Sequence, residues 1–378
     1  MPDTPLLLDP AAADVDGLLA DALAALPDDA DARRTAAALG AAGALARLYA
    51  GLPAGRLHPV PLRKLLAAAE ARGRQGTVLA LCVQLASALP LLAEGAARSA
   101  PAARTLSAVT AGEELLALAA TDESAGSDLT ALTTEVDLGE DTLTLRGTKR
   151  WVTSALTAGH ALVLARHREG RHFTSFTWVL VPLSAPGVTV RAVETELFEG
   201  AGLGHIELAG VTLPRDHLVG RPGMGLALFA RHIATERLAS AAWAIALCRR
   251  VLADTERRLA GRTVDGEPLS RSPLVRHRLA GCAVEVSALH ALWTQLHERI
   301  ATDRDGTAAA LLKAASGTTV EHVLAVCGQL QGADGFGTDG VQRLRAESQV
   351  FGIGGGTTEV VLGTVADRLD AVLDELAP

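Results

Sequence analysis

Apolar positions recur with a helical period over the first 117 residues and again from residue 223 onward, while the stretch between them alternates. The first part predicts helices at 11–26, 30–51, 62–72, 77–94 and 102–113, with a Gly/Pro-rich linker at 51–61. From about Val136 the period changes: Thr142-Leu143-Thr144-Leu145 alternates strictly, and 178–181, 188–190 and 205–213 are rich in β-branched residues. Pro186-Gly187 and Pro214 punctuate these runs. Beyond Gly223 the apolar stripe Leu289, Leu292, Trp293, Leu296 and Ile300 marks one helix face. Long helices are predicted at 226–259, 273–302 and 307–330, with a shorter one from about 358. The expected architecture is α+β and multidomain. A helical domain (1–117) precedes a small β-barrel or sandwich domain (118–222), and a four-helix bundle (223–378) completes it.

Composition sharpens this picture in a few places. With 378 residues and 49% hydrophobic content, several packed units share a large interior; with 3% aromatics, that interior is mostly Ala, Leu and Val. A formal charge of −8 argues against nucleic-acid binding, which needs a basic face. No basic region precedes the short apolar run near the N-terminus, so no signal peptide is expected. Residues 75–93 are uncharged, yet Gln84, Ser87 and Pro90 make a buried helix the better reading than a membrane span. Cys82, Cys248, Cys282 and Cys327 lie far apart in apolar helical contexts, as reduced core thiols of a cytoplasmic protein would. Lysine occurs only at Lys64, Lys149 and Lys313, which reads as codon usage rather than chemistry.

Candidate chemistry begins by exclusion. The histidines show no metal-binding spacing, so no metal site is expected, and no Gly-x-Ser-x-Gly elbow is present. The run GIGGGTT at 352–358 opens a helix, where free N–H groups favour anions, but it lacks a P-loop lysine and a surrounding β-α-β unit. More distinctive are the loop AATDESAGSD (119–128) and the segment GTKRWVTSA (147–155), which together offer hydroxyls, small residues and an indole.

Across roughly residues 60–375 the chain resembles the acyl-CoA dehydrogenase family of flavoproteins. Thr121-Asp122-Glu123-Ser124-Ala125-Gly126-Ser127-Asp128 is similar to that family's T-E-P-x-A-G-S-D, with Glu123 in place of Pro. Trp151-Val152-Thr153 matches W-I-T, and 211–220 is similar to V-x-V-P-x-x-x-L-G. Residues 329–336 (QLQGADGF) resemble Q-x-x-G-G-x-G-[FY], and Gly356-Thr357-Thr358-Glu359 matches G-T-x-E. The resemblance implies FAD between the β domain and the C-terminal bundle. Thr121 and Ser127 would reach the flavin and the phosphate or substrate region. Trp151 would flank the ring, and the Thr153 hydroxyl would bond its N5 edge. Arg262, Thr357 and Glu359 would be further cofactor contacts, and Gln329 and Gly332 would serve a neighbouring subunit's cofactor.

The resemblance also implies oxidation of the α,β bond of an acyl thioester, carried by CoA or an acyl-carrier protein. A carboxylate base and hydrogen-bond donors for the carbonyl oxygen are then needed. Many members place the base just before Gly-Thr, where this chain has Gly355. A second group places it on the first long C-terminal helix, and Thr235-Glu236-Arg237-Leu238 resembles the E-R-L found there. Glu236 is therefore the expected base, with the Gly355 N–H contributing to the oxyanion site. An electron-transfer flavoprotein as acceptor and a homodimer or homotetramer follow from the same resemblance, with neither nucleic acid nor membrane as partner.

The chain departs from the pattern at several points. R-x-x-F-G appears as Arg262-Thr263-Val264-Asp265-Gly266, Pro273 stands where a glutamine is expected, Ala346-Glu347 replaces R-D, and 198–205 lacks R-x-S-x-T. The losses fall at the cofactor periphery and the carrier-facing region, which suits a carrier-protein substrate. A flavin-dependent monooxygenase, or an inactive subunit on the same fold, are the alternatives.

Overall fold

A computed structural model describes residues 15–50, 56–123, 126, 128–338 and 340–377. Six helices come first: α1 (Val15–Ala24), α2 (Ala32–Ala41), α3 (Pro59–Glu70), α4 (Gln75–Val83), α5 (Leu89–Ala96) and α6 (Ala100–Thr110). Asp31 caps α2 by accepting from the Arg34 N–H at 2.9 Å. The helix expected to run from 30 to 51 stops at Ala41 instead. Gly43 takes a left-handed φ of +72°, and Tyr49–Ala50 (β1) then pairs with Arg56–Leu57 (β2).

Between α4 and α5 the chain makes a π-helical turn, Gln84–Ala88, with every residue buried. It comes just before Pro90, whose ring in an α-helix interior would meet the carbonyl four residues back; the widened turn relieves that clash. The whole segment Gln75–Ala96 is apolar enough to span a membrane by length and composition, but it is 83% buried among the other helices.

The middle of the chain forms one eight-stranded sheet. Its strands are β3 (Leu116–Ala119), β4 (Glu135–Leu138), β5 (Thr142–Val152), β6 (His160–Arg166), β7 (Phe176–Pro182), β8 (Val188–Ala192), β9 (Gly204–Pro214) and β10 (Leu218–Val219). They run in the order β10-β7-β6-β4-β5-β9-β8, with β3 lying parallel on β6. Alternation in β6 and β7 serves two cores. Leu162, Leu164, Phe176, Trp178 and Leu180 join the helical core, while Val163, Val179 and Val181 pack with Val136, Leu145, Ile206 and Val211 in a second, smaller one.

The C-terminal part begins with α7 (Gly225–Ala260), 36 residues long, followed by α8 (Pro273–Asp303) and α9 (Gly306–Gln331). Between α7 and α8 sits a hairpin, Thr263–Val264 (β11) with Glu267–Pro268 (β12). Its two-residue turn explains one departure from the family pattern: Asp265 and Gly266 both have positive φ, as an Asp-Gly turn requires. Pro273 likewise fits as the first residue of α8, where its missing N–H costs nothing. Four short helices close the chain: α10 (Val341–Ser348), α11 (Val350–Ile353), α12 (Thr358–Ala366) and α13 (Leu369–Glu375). The four cysteines are buried and unpaired.

Candidate active site

Two loops converge beside the end of β5. The Thr121 hydroxyl donates to the Arg150 carbonyl at 3.2 Å, and the Arg150 N–H returns a bond to the Thr121 carbonyl at 3.2 Å. Asp122 accepts from the Thr133 and Thr134 N–H groups at 2.8 and 3.0 Å, which fixes the loop from below. Lys149 is wholly buried and donates to the Ala120 carbonyl at 3.1 Å; burial brings its ammonium down to about 7, against the pull of Asp122. Glu123, the residue that replaces the expected proline, pairs with Arg150 at 2.9 Å. The substitution thus gives the loop an ionic tie to β5.

Trp151 stands on this platform in an unusual way. The pairing of β5 with β9 shifts register between Lys149 and Val152, and the bulged Trp151 takes φ +54°. A bulky residue in that region is an outlier held by its surroundings. The result is an indole 62% exposed, with His205 edge-on at 5.9 Å and the Trp151 N–H donating to His205 Nδ1 at 3.1 Å. Thr153 follows with a half-buried side chain whose hydroxyl makes no hydrogen bond among the described residues. Ser127 lies outside the described residues.

A second cluster forms where α7 meets the π-turn, α9 and the loop before α12. Glu236 accepts from the Ser87 hydroxyl through Oε2. A Cβ built on Gly355 would lie 3.5 Å from its Oε1, so the two expected catalytic positions do meet. Arg237 Nε donates to the Gly355 carbonyl at 3.0 Å, and the Lys313 ammonium donates to the Phe351 carbonyl. Gly355 has φ +71°, and its N–H makes no hydrogen bond among the described residues. Burial raises the Glu236 carboxyl above the usual carboxylate range, opposed by the Ser87 hydrogen bond and by the charges of Arg237 and Lys313. Burial lowers Lys313 to about 8, against the attraction of Glu236. A carboxylate raised by desolvation, yet flanked by two cations, is an arrangement suited to taking and returning a proton near neutral pH.

The remaining expected residues sit apart from both clusters. Arg262 reaches the Gln331 carbonyl at 3.2 Å and Asp334 at 3.8 Å, and a Cβ on Gly332 would lie 3.7 Å from its guanidinium. Gln329 accepts from Arg278 at 2.6 Å. The group gathers at the C-terminal end of α7, about 36 Å along the helix from Glu236. Thr357 caps α12 by position without a side-chain bond, and Glu359 is exposed in its first turn. Gly356 lies next to them, where a Cβ would be 3.4 Å from Arg237. Ser87, Arg237 as a partner of Gly355, Lys313 and Trp243 join the site without having been singled out in the sequence.

The family model for the acyl-CoA dehydrogenase middle domain matches residues 117–211, and that for the C-terminal domain matches 223–370. The chain belongs to the acyl-CoA dehydrogenase family. An acyl-[acyl-carrier-protein] dehydrogenase, MbtN of Mycobacterium sp. (strain MCS), is 31% identical over 266 residues, covering 68% of this chain and 66% of that protein. Among solved structures, a probable acyl CoA dehydrogenase from Mycobacterium abscessus superposes with a TM-score of 0.82 at 22% identity, over 95% of this chain and 97% of the other. A glutaryl-CoA dehydrogenase from Mycobacterium smegmatis, in complex with FADH2, gives 0.83 at 21% identity over 97% and 96%. The expected family and fold class are therefore correct.

Proposed function

We propose that this chain is an FAD-dependent acyl-thioester dehydrogenase in which Glu236 removes the α proton. The observation that carries the reading is the meeting of Glu236 with Gly355. The position that holds the base in many relatives is vacated, and a desolvated carboxylate from α7 stands in its place. Family membership supplies the reaction class, and the relative acting on carrier-protein thioesters supports that carrier over CoA.

The chain's own residues suit the cofactor. An exposed indole beside a threonine hydroxyl that has no partner among the described residues is what a flat, hydrogen-bonding ring system would cover and satisfy. Trp151 and Thr153 would hold the ring, Thr121 would line its loop, and bound FAD would supply the acceptor for the hydrogen leaving the β carbon with its electron pair. Gln329, Gly332 and Arg262, some 36 Å from Glu236 along α7, suit the cofactor of a neighbouring subunit rather than the chain's own.

At the substrate, Glu236 takes the α proton as the thioester oxygen gains charge. The Gly355 N–H, without a partner among the described residues, is a donor for that oxygen, and the Gly355 carbonyl is held by Arg237, which fixes the peptide's direction. Ser87, Arg237 and Lys313 favour the ionised form of Glu236 in an otherwise drying site. The test is direct. Purified protein should be yellow, and anaerobic addition of acyl-pantetheine thioesters should bleach the flavin band. A colourless protein that takes up no FAD, or a flavin that no thioester reduces, would refute the assignment.

A further inference from the structure

The walls around Glu236 also define what kind of acyl group can sit there. Trp243 follows Glu236 by seven residues on α7, so it lies on the same face two turns deeper, about 10 Å along the axis. Both residues line one narrow cleft with Leu79, Cys82 and Ser240, and about 30 Å³ of it is open to a water-sized molecule.

Trp243 is held at its edge and on its face. Its indole N–H donates to Glu70 Oε2 at 2.9 Å and Gln75 Oε1 at 3.2 Å, and its ring packs on Phe351 with centroids 4.6 Å apart. Glu70 is 1% exposed and is itself clamped by Arg250, whose Nε and Nη2 donate to Oε1 at 2.9 and 2.7 Å. Swinging Trp243 aside would remove one donor from a buried carboxylate and open a void against Phe351. Beyond Glu70 the apolar interior ends: the next space is a solvent-facing groove between α3 and α7 that includes Glu70, Arg72, Arg249 and Arg250 in its lining. Past the N–H edge of the indole, the surroundings among the described residues therefore turn polar and charged, at Gln75, Glu70 and Arg250. With van der Waals contact taking about 3.5–4 Å at each end, a 10 Å depth holds only a few carbons beyond the one facing Glu236.

We propose that Trp243 is a specificity-determining residue that closes the acyl cleft and restricts this chain to thioesters of short, compact acyl groups. The proposal rests on the reading of the Glu236 cleft as the thioester site, and it adds the substrate class. An open apolar tunnel would bind each added methylene more tightly; this cleft reverses that trend once the chain reaches the indole.

The experiment compares butyryl- and octanoyl-pantetheine on the holoenzyme, with affinity read by calorimetry and turnover read by flavin bleaching. Octanoyl is expected to bind at least roughly tenfold more weakly than butyryl to the wild-type protein. Trp243→Ala should shift the octanoyl-to-butyryl ratio by about tenfold or more toward octanoyl. Trp243→Leu makes a smaller change in the same direction should the alanine variant not fold. Octanoyl binding as tight as butyryl in the wild type, or an unchanged ratio in a folded variant, overturns the role of Trp243. Chain-length discrimination in binding without any bleaching would leave Trp243 in place and remove the dehydrogenase reading. Bleaching that is indifferent to chain length would do the reverse.

Discussion

Replacing Ser87 with alanine isolates the contribution of one hydroxyl to the proton affinity of Glu236. Ser87 donates to Glu236 Oε2 from the π-turn, so the bond favours the ionised carboxylate. A hydrogen bond to a charged group contributes about 1.5–3 kcal/mol, and one pKa unit corresponds to about 1.4 kcal/mol. Losing the bond should therefore raise the Glu236 pKa by roughly 1–2 units, above a value that burial already holds high. The side chain is only partly exposed, which puts the effect toward the full figure rather than the screened one.

The assay is the rate of anaerobic flavin reduction by a saturating acyl thioester, measured as a function of pH. The base acts ionised, so the rate rises with pH through the Glu236 pKa and then levels. In Ser87→Ala the rising limb should move to higher pH by about 1–2 units, while the plateau stays near the wild-type value. Ser87→Thr, which keeps a hydroxyl, should restore much of the original profile. A limb that stays in place in the alanine variant, or moves to lower pH, would show that Ser87 does not support the charged base. A plateau lowered at every pH with no shift would mark Ser87 as a packing residue of the π-turn.

Other perturbations test different parts of the site. Glu236→Gln keeps the shape and the Ser87 contact but has no base, so flavin reduction should fall by about 10²–10⁴-fold while the protein remains yellow; undiminished reduction would sink the assignment. Gly355→Ala meets only ordinary contacts at 3.5–3.7 Å, so its cost comes from placing an L residue at φ +71°, roughly 1–2 kcal/mol in denaturant titration. Buried Lys149 and Lys313 have pKa values of about 7 and about 8, below the unfolded value, so the unfolded chain binds more protons through that window. Stability should therefore increase between about pH 7 and pH 10, by at most about 1.4 kcal/mol per unit for each lysine, and Lys149→Met should reduce the slope. A flat or falling curve across that range would contradict the depressed lysines.

The architecture was legible because its signals are periodic and local. The three long C-terminal helices emerge within a residue or two of their expected ends, and the strands expected at 142–145, 178–181, 188–190 and 205–213 fall in β5, β7, β8 and β9, whereas β3 and β6 were not singled out. The expected 30–51 helix failed because alanine content carries propensity but not termination, and Gly43 with the β1–β2 hairpin ended it. Departures from the family pattern that looked like losses turn out to have local uses. Asp265 makes the hairpin turn, Pro273 starts α8, and Glu347 accepts from the Phe198 N–H at 2.8 Å, tying α10 to the β domain.

What sequence could not show is which distant side chains complete a charge. Ser87 stands 149 residues from Glu236, and nothing in its own neighbourhood marks it. Lysine usage did carry a signal. Arginine predominates across the chain, yet Lys149 and Lys313 are both buried, one under the Trp151 platform and one beside Glu236. A guanidinium holds its charge in either place; an ammonium on a flexible stem can be desolvated toward neutrality and still aim at a single carbonyl. Rarity of a residue in a biased composition is thus evidence of chemistry where the common substitute would not serve. The same reasoning applies to Trp243. In a chain that is only 3% aromatic, an indole two turns below the expected base occupies volume that alanine and leucine would have left open. In the proposed reading its placement sets the reach of the substrate, as Glu236 sets the reaction.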